Sequence, residues 1–135
     1  MSVNRQVVVS GGGPAGLAAA CLAAQEGIAT TILAPEHVHD LRTVALMLPA
    51  IRLLRYIGVW TDALSYKSQA LQRLHIIDDT GHYIAAPKLE FSSEEMGESE
   101  FGWNVPLTDL VRGLRQRVLD LGCRLIPERA AEIEI

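Results

Sequence analysis

Gly11, Gly13 and Gly16 carry the most specific chemistry in the chain. They stand in the spacing G-x-G-x-x-G, inside Gly11-Gly12-Gly13-Pro14-Ala15-Gly16. Such a loop can cradle a diphosphate, and each glycine has its own task. Gly11 permits a tight turn out of a strand. Gly13 lacks a Cβ, so a pyrophosphate can approach the backbone. Gly16 lets the following helix pack close to the strand. A helix N-terminus behind them would present unpaired N–H groups, that of Ala15 included, and a partial positive charge. Pro14 suits the first helical turn because it gives up no donor needed there. The fingerprint also expects an acid at the end of the second strand, to hold ribose hydroxyls. That place falls on Ala34; Pro35 follows, and the first acid is Glu36. Either Glu36 reaches the ribose by a different loop path or backbone makes the contact. A solvated loop glutamate accounts for Glu36 equally well.

A loop of this kind works only between a buried strand and a helix, and the sequence provides both. Gln6 to Val9 is rich in β-branched valine and reads as a fully buried strand of a parallel sheet. Pro14 to Glu26 reads as a helix with Leu17, Cys21 and Ala24 on one face, closed by Gly27. Its alanines let it lie close on a sheet. Ala29 to Leu33 reads as a second buried strand, which completes a βαβ unit. Residues 35–43 read as a polar loop. A helix is expected from near Pro49 to Gly58. Leu71 to Ile77 and His82 to Ala86 flank Asp78-Asp79-Thr80-Gly81 and read as a β-hairpin. A hairpin breaks βαβ alternation, so it is expected in a second layer. Segment 90–100 reads as an exposed acidic loop and Phe101 to Val105 as a short strand. Thr108 to Leu121 reads as a helix with Leu110, Val111, Leu114, Val118 and Leu121 on one side. Cys123 to Ile126 and Ala131 to Ile135 read as strands.

Composition narrows the function classes. The chain has 135 residues, 49% hydrophobic and 21% charged, the mixture of a globular domain. Its net charge of −4 offers no basic excess for neutralising phosphates, which argues against a nucleic-acid partner. Glu90, Glu94, Glu95, Glu98 and Glu100 concentrate the acid in one segment, leaving the remainder close to neutral. The apolar stretch from Leu17 to Leu33 is broken by Gln25, Glu26 and Gly27, so no transmembrane helix is expected. Cys21 and Cys123 read as buried reduced thiols, and a cytoplasmic location is the default. His37 and His39 are spaced H-x-H without an evident third ligand, so no metal site is assigned. His75 alternates with apolar neighbours and is expected on the second face of a sheet.

Val8-Val9-Ser10-Gly11-Gly12-Gly13-Pro14-Ala15-Gly16-Leu17-Ala18 resembles the start of FAD-dependent aromatic hydroxylases. Two further stretches are similar to the ubiquinone-biosynthesis hydroxylases within that group. One runs through Asp40-Leu41-Arg42-Thr43-Val44-Ala45-Leu46, Leu53-Leu54 and Ile57-Gly58-Val59-Trp60; the other is Phe101-Gly102-Trp103-Asn104-Val105-Pro106. The resemblance implies an α/β, Rossmann-like FAD/NAD(P)-binding fold with a parallel sheet, plus a β-hairpin contributing to a second layer. Residues 1–135 would be the N-terminal portion of an FAD-binding domain, with 71–105 an excursion into the substrate-side sheet and the C-terminal remainder absent. It further implies that Arg42, with Thr43, lies beside the flavin or its phosphates. A guanidinium, always charged, suits a diphosphate. The chain departs from the family pattern at Ala34 and at Leu107, where the family tends to place a polar FAD contact.

The implied activity is hydroxylation of an aromatic, polyprenylated phenol, with NAD(P)H reducing FAD and O2 as the oxidant. Catalytic side chains are not assigned, because the cofactor carries the chemistry. The isolated chain is expected to be inactive and to bind FAD weakly. The lipid-like substrate leaves peripheral association with the inner membrane, or with a biosynthetic complex, open. Two alternatives stay open as well: a flavin-dependent prenyl reductase or cyclase of the same fold, and a truncated non-catalytic nucleotide-binding module.

Overall fold

The computed structural model describes residues 5–36, 39–77 and 88–131. Strand β1 (Gln6–Ser10) leads into helix α1 (Pro14–Gln25) and then strand β2 (Ala29–Leu33). β1 and β2 pair in parallel, from Gln6 opposite Ala29 to Ser10 opposite Leu33. The βαβ unit expected from the valine run, the alanine-rich helix and the second strand is therefore present. Pro14 lies in the first turn of α1, where its missing N–H costs nothing.

Among the described residues the chain returns to this sheet at strand β8 (Arg124–Ile126), which pairs in parallel with β2. The order is β1-β2-β8. Helix α4 (Leu107–Asp120) precedes β8 and packs on α1. Its buried face is Thr108, Leu110, Val111, Leu114 and Val118, close to the 3.6-residue stripe read from the sequence. Both helices lie on one side of the sheet and form its core with Leu17, Ala20, Cys21 and Ile32, all fully buried. Full burial of a side chain the size of Leu17 or Ile32 contributes about 1.5–3 kcal/mol by leaving water.

One expectation fails at β1. A fully buried strand was predicted, yet its residues alternate between exposed and half-buried, and Val8 is 60% exposed. α1 covers the Val7 and Val9 side only in part. β2 is its sole strand partner among the described residues, so its outer edge is unpaired there and Val8 stays largely exposed.

Between β2 and α4 lies an antiparallel layer. The polar stretch read as a loop up to residue 43 gives way to strand β3 (Thr43–Met47), which runs straight into helix α2 (Leu48–Tyr56). A short helix, α3 (Asp62–Tyr66), follows, capped by the Thr61 hydroxyl accepting from the Leu64 N–H at 3.3 Å. Strand β4 (Gln69–Leu71) and strand β3 flank strand β7 (Gly102–Pro106) in the order β3-β7-β4. Gly102 is required here. A Cβ on it would run into the Leu46 carbonyl of the neighbouring strand.

The run Leu71 to Ile77, read as one hairpin strand, divides at Gln72. Leu71 belongs to β4, while strand β5 (Arg73–Ile76) pairs with strand β6 (Leu89–Ser92) in a separate ribbon. The expected partner, His82 to Ala86, lies outside the described residues, as do 132–135 of the last expected strand. The acidic segment is more ordered than a loop. Glu90 sits in β6, and Ser93–Met96 form a 3-10 turn whose Ser93 is buried while Glu94 and Glu95 face solvent. The ribbon places Leu74 opposite Phe91 and Ile76 opposite Leu89 on one face. His75 takes the other face, its Nε2 3.7 Å from Glu90 Oε1.

Candidate nucleotide site

The glycine loop closes the top of β1 against β2. Gly11 has φ of 123°, a backbone region open to glycine, and its N–H donates to the Leu33 carbonyl at 2.9 Å. A Cβ on Gly16 would sit 2.5 Å from the Gly11 carbonyl oxygen, so α1 can approach β1 only with glycine there. Gly13 behaves oppositely. A Cβ on it would meet no atom within 4 Å. Its φ of −77° is open to any residue. Gly13 thus faces empty space, and no packing demand explains its lack of a side chain.

α1 begins at this point without a side-chain cap and without an acid in its first turn. The N–H groups at its start, Ala15 and Gly16 included, and the positive end of the helix dipole face the same opening. A cavity of about 230 Å³ lies beside the loop, lined in part by Gly12, Gly13, Pro14, Glu36 and Arg115. These residues fit a dinucleotide: a backbone cradle a Cβ would fill and an uncapped helix with no acid in its first turn.

The other predicted residues are placed as follows. Ala34 is fully buried and its N–H donates to the Ile126 carbonyl at 2.9 Å, extending the β2–β8 pairing. A Cβ on Gly12 would lie 2.6 Å from the Ala34 Cβ, so these two residues close the floor of the loop together. Glu36 is exposed at the mouth of the cavity. Thr43 opens β3. Arg42 lines a different cavity, with His39, Asp40 and Leu41. Its side chain is 80% exposed and forks onto Asp40, with Nη2 2.6 Å from Oδ2 and Nε 3.0 Å from Oδ1. That pairing makes Arg42 hold its proton still more tightly.

Two residues escaped the sequence reading. Arg115 on α4 reaches the glycine loop and donates from Nη1 to the Pro35 carbonyl at 3.3 Å. Leu107, Val111 and Arg115 recur every fourth residue and so share a helix face, which was a readable signal. Only the docking of α4 beside α1 shows what that face meets. Thr108 holds the loop before β3 to the start of α4. Elsewhere the described residues contain no group of three His, Cys, Asp or Glu able to hold a metal ion. No helix among them is long and apolar enough to cross a membrane.

A parallel βαβ unit with a glycine turn at its strand end and an uncapped helix behind it defines a Rossmann-type dinucleotide-binding domain. Residues 4–127 match the FAD binding domain family, and the chain belongs to that family, whose cofactor is FAD. No curated protein sequence matches. Among solved structures, the chain is similar to OxyS anhydrotetracycline hydroxylase from Streptomyces rimosus, with TM-score 0.75 and 20% identity over 96% of this chain and 26% of that one. It is also similar to p-nitrophenol 4-monooxygenase PnpA from Pseudomonas putida, with TM-score 0.71 and 20% identity over 100% of this chain and 34% of that one. A flavoprotein/dehydrogenase from Cytophaga hutchinsonii gives TM-score 0.71 and 18% identity over 96% and 32%. The chain therefore spans about a quarter to a third of the length of these proteins.

Proposed function

We propose that the protein acts as an FAD-dependent aromatic monooxygenase. Its substrate is a polyprenylated phenol of ubiquinone biosynthesis, and NAD(P)H is its reductant. The observation that carries this reading is the open face of Gly13 at the uncapped start of α1, in a chain of the FAD binding domain family. The monooxygenase and hydroxylase descriptions of two similar structures support the reaction class. The substrate rests on the resemblance carried by Asp40 to Leu46, Leu53-Leu54, Ile57-Gly58-Val59-Trp60 and Phe101 to Pro106.

FAD, when bound, would supply the redox chemistry with NAD(P)H and O2 as co-substrates. The chain's own residues hold and orient it. The loop from Gly11 to Gly16 would cradle the pyrophosphate: Gly13, Ala15 and Gly16 offer backbone N–H groups, while Gly11 and Pro14 shape the turn that presents them. Ala34, on the floor of the loop, and Glu36, at its mouth, form the ribose end, and Arg42 with Thr43 stands toward the flavin side. Segment 71–105 belongs to the substrate side of the domain. Work at the inner membrane's surface suits a polyprenyl tail.

The test is turnover of the FAD-loaded protein with NAD(P)H, a polyprenylated phenol and 18O-labelled O2. Labelled hydroxyl in the product is the expected result. One similar structure is described as a flavoprotein/dehydrogenase, which favours a second reading, a flavin-dependent prenyl reductase or cyclase. Reduced or cyclised product without label would establish that reading in place of the first.

A further inference from the structure

The FAD reading leaves the ribose end of the site without its usual acid. Ala34 occupies that strand end, fully buried against Gly12, and a methyl group cannot accept a hydroxyl proton. The space above Gly12 is reached instead from α4. Arg115 Nη1 lies 3.4 Å from where a Gly12 Cβ would stand and 3.3 Å from the Pro35 carbonyl oxygen. Arg115 is the one cation lining the glycine-loop cavity among the described residues. Leu107 and Val111 line the same cavity from the two preceding turns. The helix face is thus apolar for two turns and ends in a guanidinium beside the loop. That group has five N–H donors, and the Pro35 carbonyl engages one of its nitrogens.

The geometry points to Arg115 as a binding residue for the adenylate half of the dinucleotide, its guanidinium donating to ribose or phosphate oxygens beside Gly12. This rests on the FAD reading and deepens it. A donor on α4 takes over where an acceptor on β2 is absent. The tether to Pro35 holds the fork in place before the ligand arrives, so little rotamer freedom is lost on binding. Glu36, exposed at the same mouth, is left to accept a ribose hydroxyl.

The test is calorimetric titration of the purified full-length protein with FAD and with ADP, which share the adenylate half. Arg115→Met keeps the stem and removes the donors; Arg115→Lys keeps the charge but not the fork. Arg115→Met is expected to lose at least tenfold in affinity for both ligands. Arg115→Lys should fall between it and wild type, and both variants should keep the ligand-free unfolding midpoint. Met-variant affinities within twofold of wild type would overturn the inference. A loss that appears only together with a lowered ligand-free midpoint would overturn it too, because Arg115 would then be a brace for Pro35. Wild type that binds neither FAD nor ADP would sink the FAD reading itself, and this inference with it.

Discussion

Thr108 and Asp40, 68 residues apart, hold each other twice. The Thr108 hydroxyl accepts from the Asp40 N–H at 2.9 Å and donates to the Asp40 carbonyl at 2.7 Å. One residue earlier, the Leu107 N–H donates to the Arg42 carbonyl at 3.0 Å. The Asp40 carboxylate in turn grips Arg42. The first turn of α4 therefore fixes both the backbone and the side chain of the loop that enters β3.

Thr108→Val keeps the shape and removes both bonds. It should cost about 1–3 kcal/mol, because the Asp40 amide and carbonyl lose a largely buried partner. Urea unfolding measures this, and Thr108→Ser should recover most of it. A valine variant as stable as wild type would mean that water replaces the hydroxyl without loss.

Gly16→Ala and Gly13→Ala should part company. The first places a Cβ 2.5 Å from the Gly11 carbonyl oxygen, so backbone must move, and both stability and FAD binding should fall. The second meets no protein atom within 4 Å, so the unfolding midpoint should hold while FAD affinity drops at least tenfold. Calorimetry beside thermal melts reads both quantities, and equal behaviour of the two variants would remove the special status of Gly13.

Burial pushes the Cys21 thiol up to about 11, with the nearby Cys123 adding to the shift and Arg117 opposing it. Folding therefore favours the protonated thiol. Its contribution is complete below the ordinary value of 9.0 and is lost as pH rises through about 11. The stability advantage of wild type over Cys21→Ala should shrink across that window. At pH 8 a thiol reagent should label Cys21 only at the rate of unfolding.

Lys67 donates to the Asp109 carboxylate at 2.7 Å and holds its pKa below the usual value, with Arg112 assisting. A lowered carboxyl pKa stabilises the fold above the unfolded value of 3.8 and ceases to do so as pH falls through the folded one. Lys67→Met should raise the Asp109 midpoint in an NMR titration. Because the pair is largely solvated, the effect on stability at neutral pH should be small.

Local chemistry made part of this legible in advance. The glycine spacing, the Pro14 start of α1 and the apolar stripe of α4 each depend on neighbours within one or two turns. α3 was readable too, since Thr61-Asp62 is a capping pair, but five residues give too short a period to stand out. β3 was missed because its burial alternates weakly beside a polar loop, and because its partner, β7, lies more than fifty residues further along the chain.

The βαβ unit and the glycine turn were legible in the residues alone, because turn geometry and helix periodicity are written in consecutive positions. Tertiary structure decided the rest. It set β8 beside β2, split the run after Leu71 between two sheets at Gln72, and left Val8 on an open face. It also paired Arg42 with Asp40 and brought Arg115 to Pro35 across 80 residues. Strand partners and helix docking follow from which distant surfaces bury each other best, and no local pattern encodes that choice.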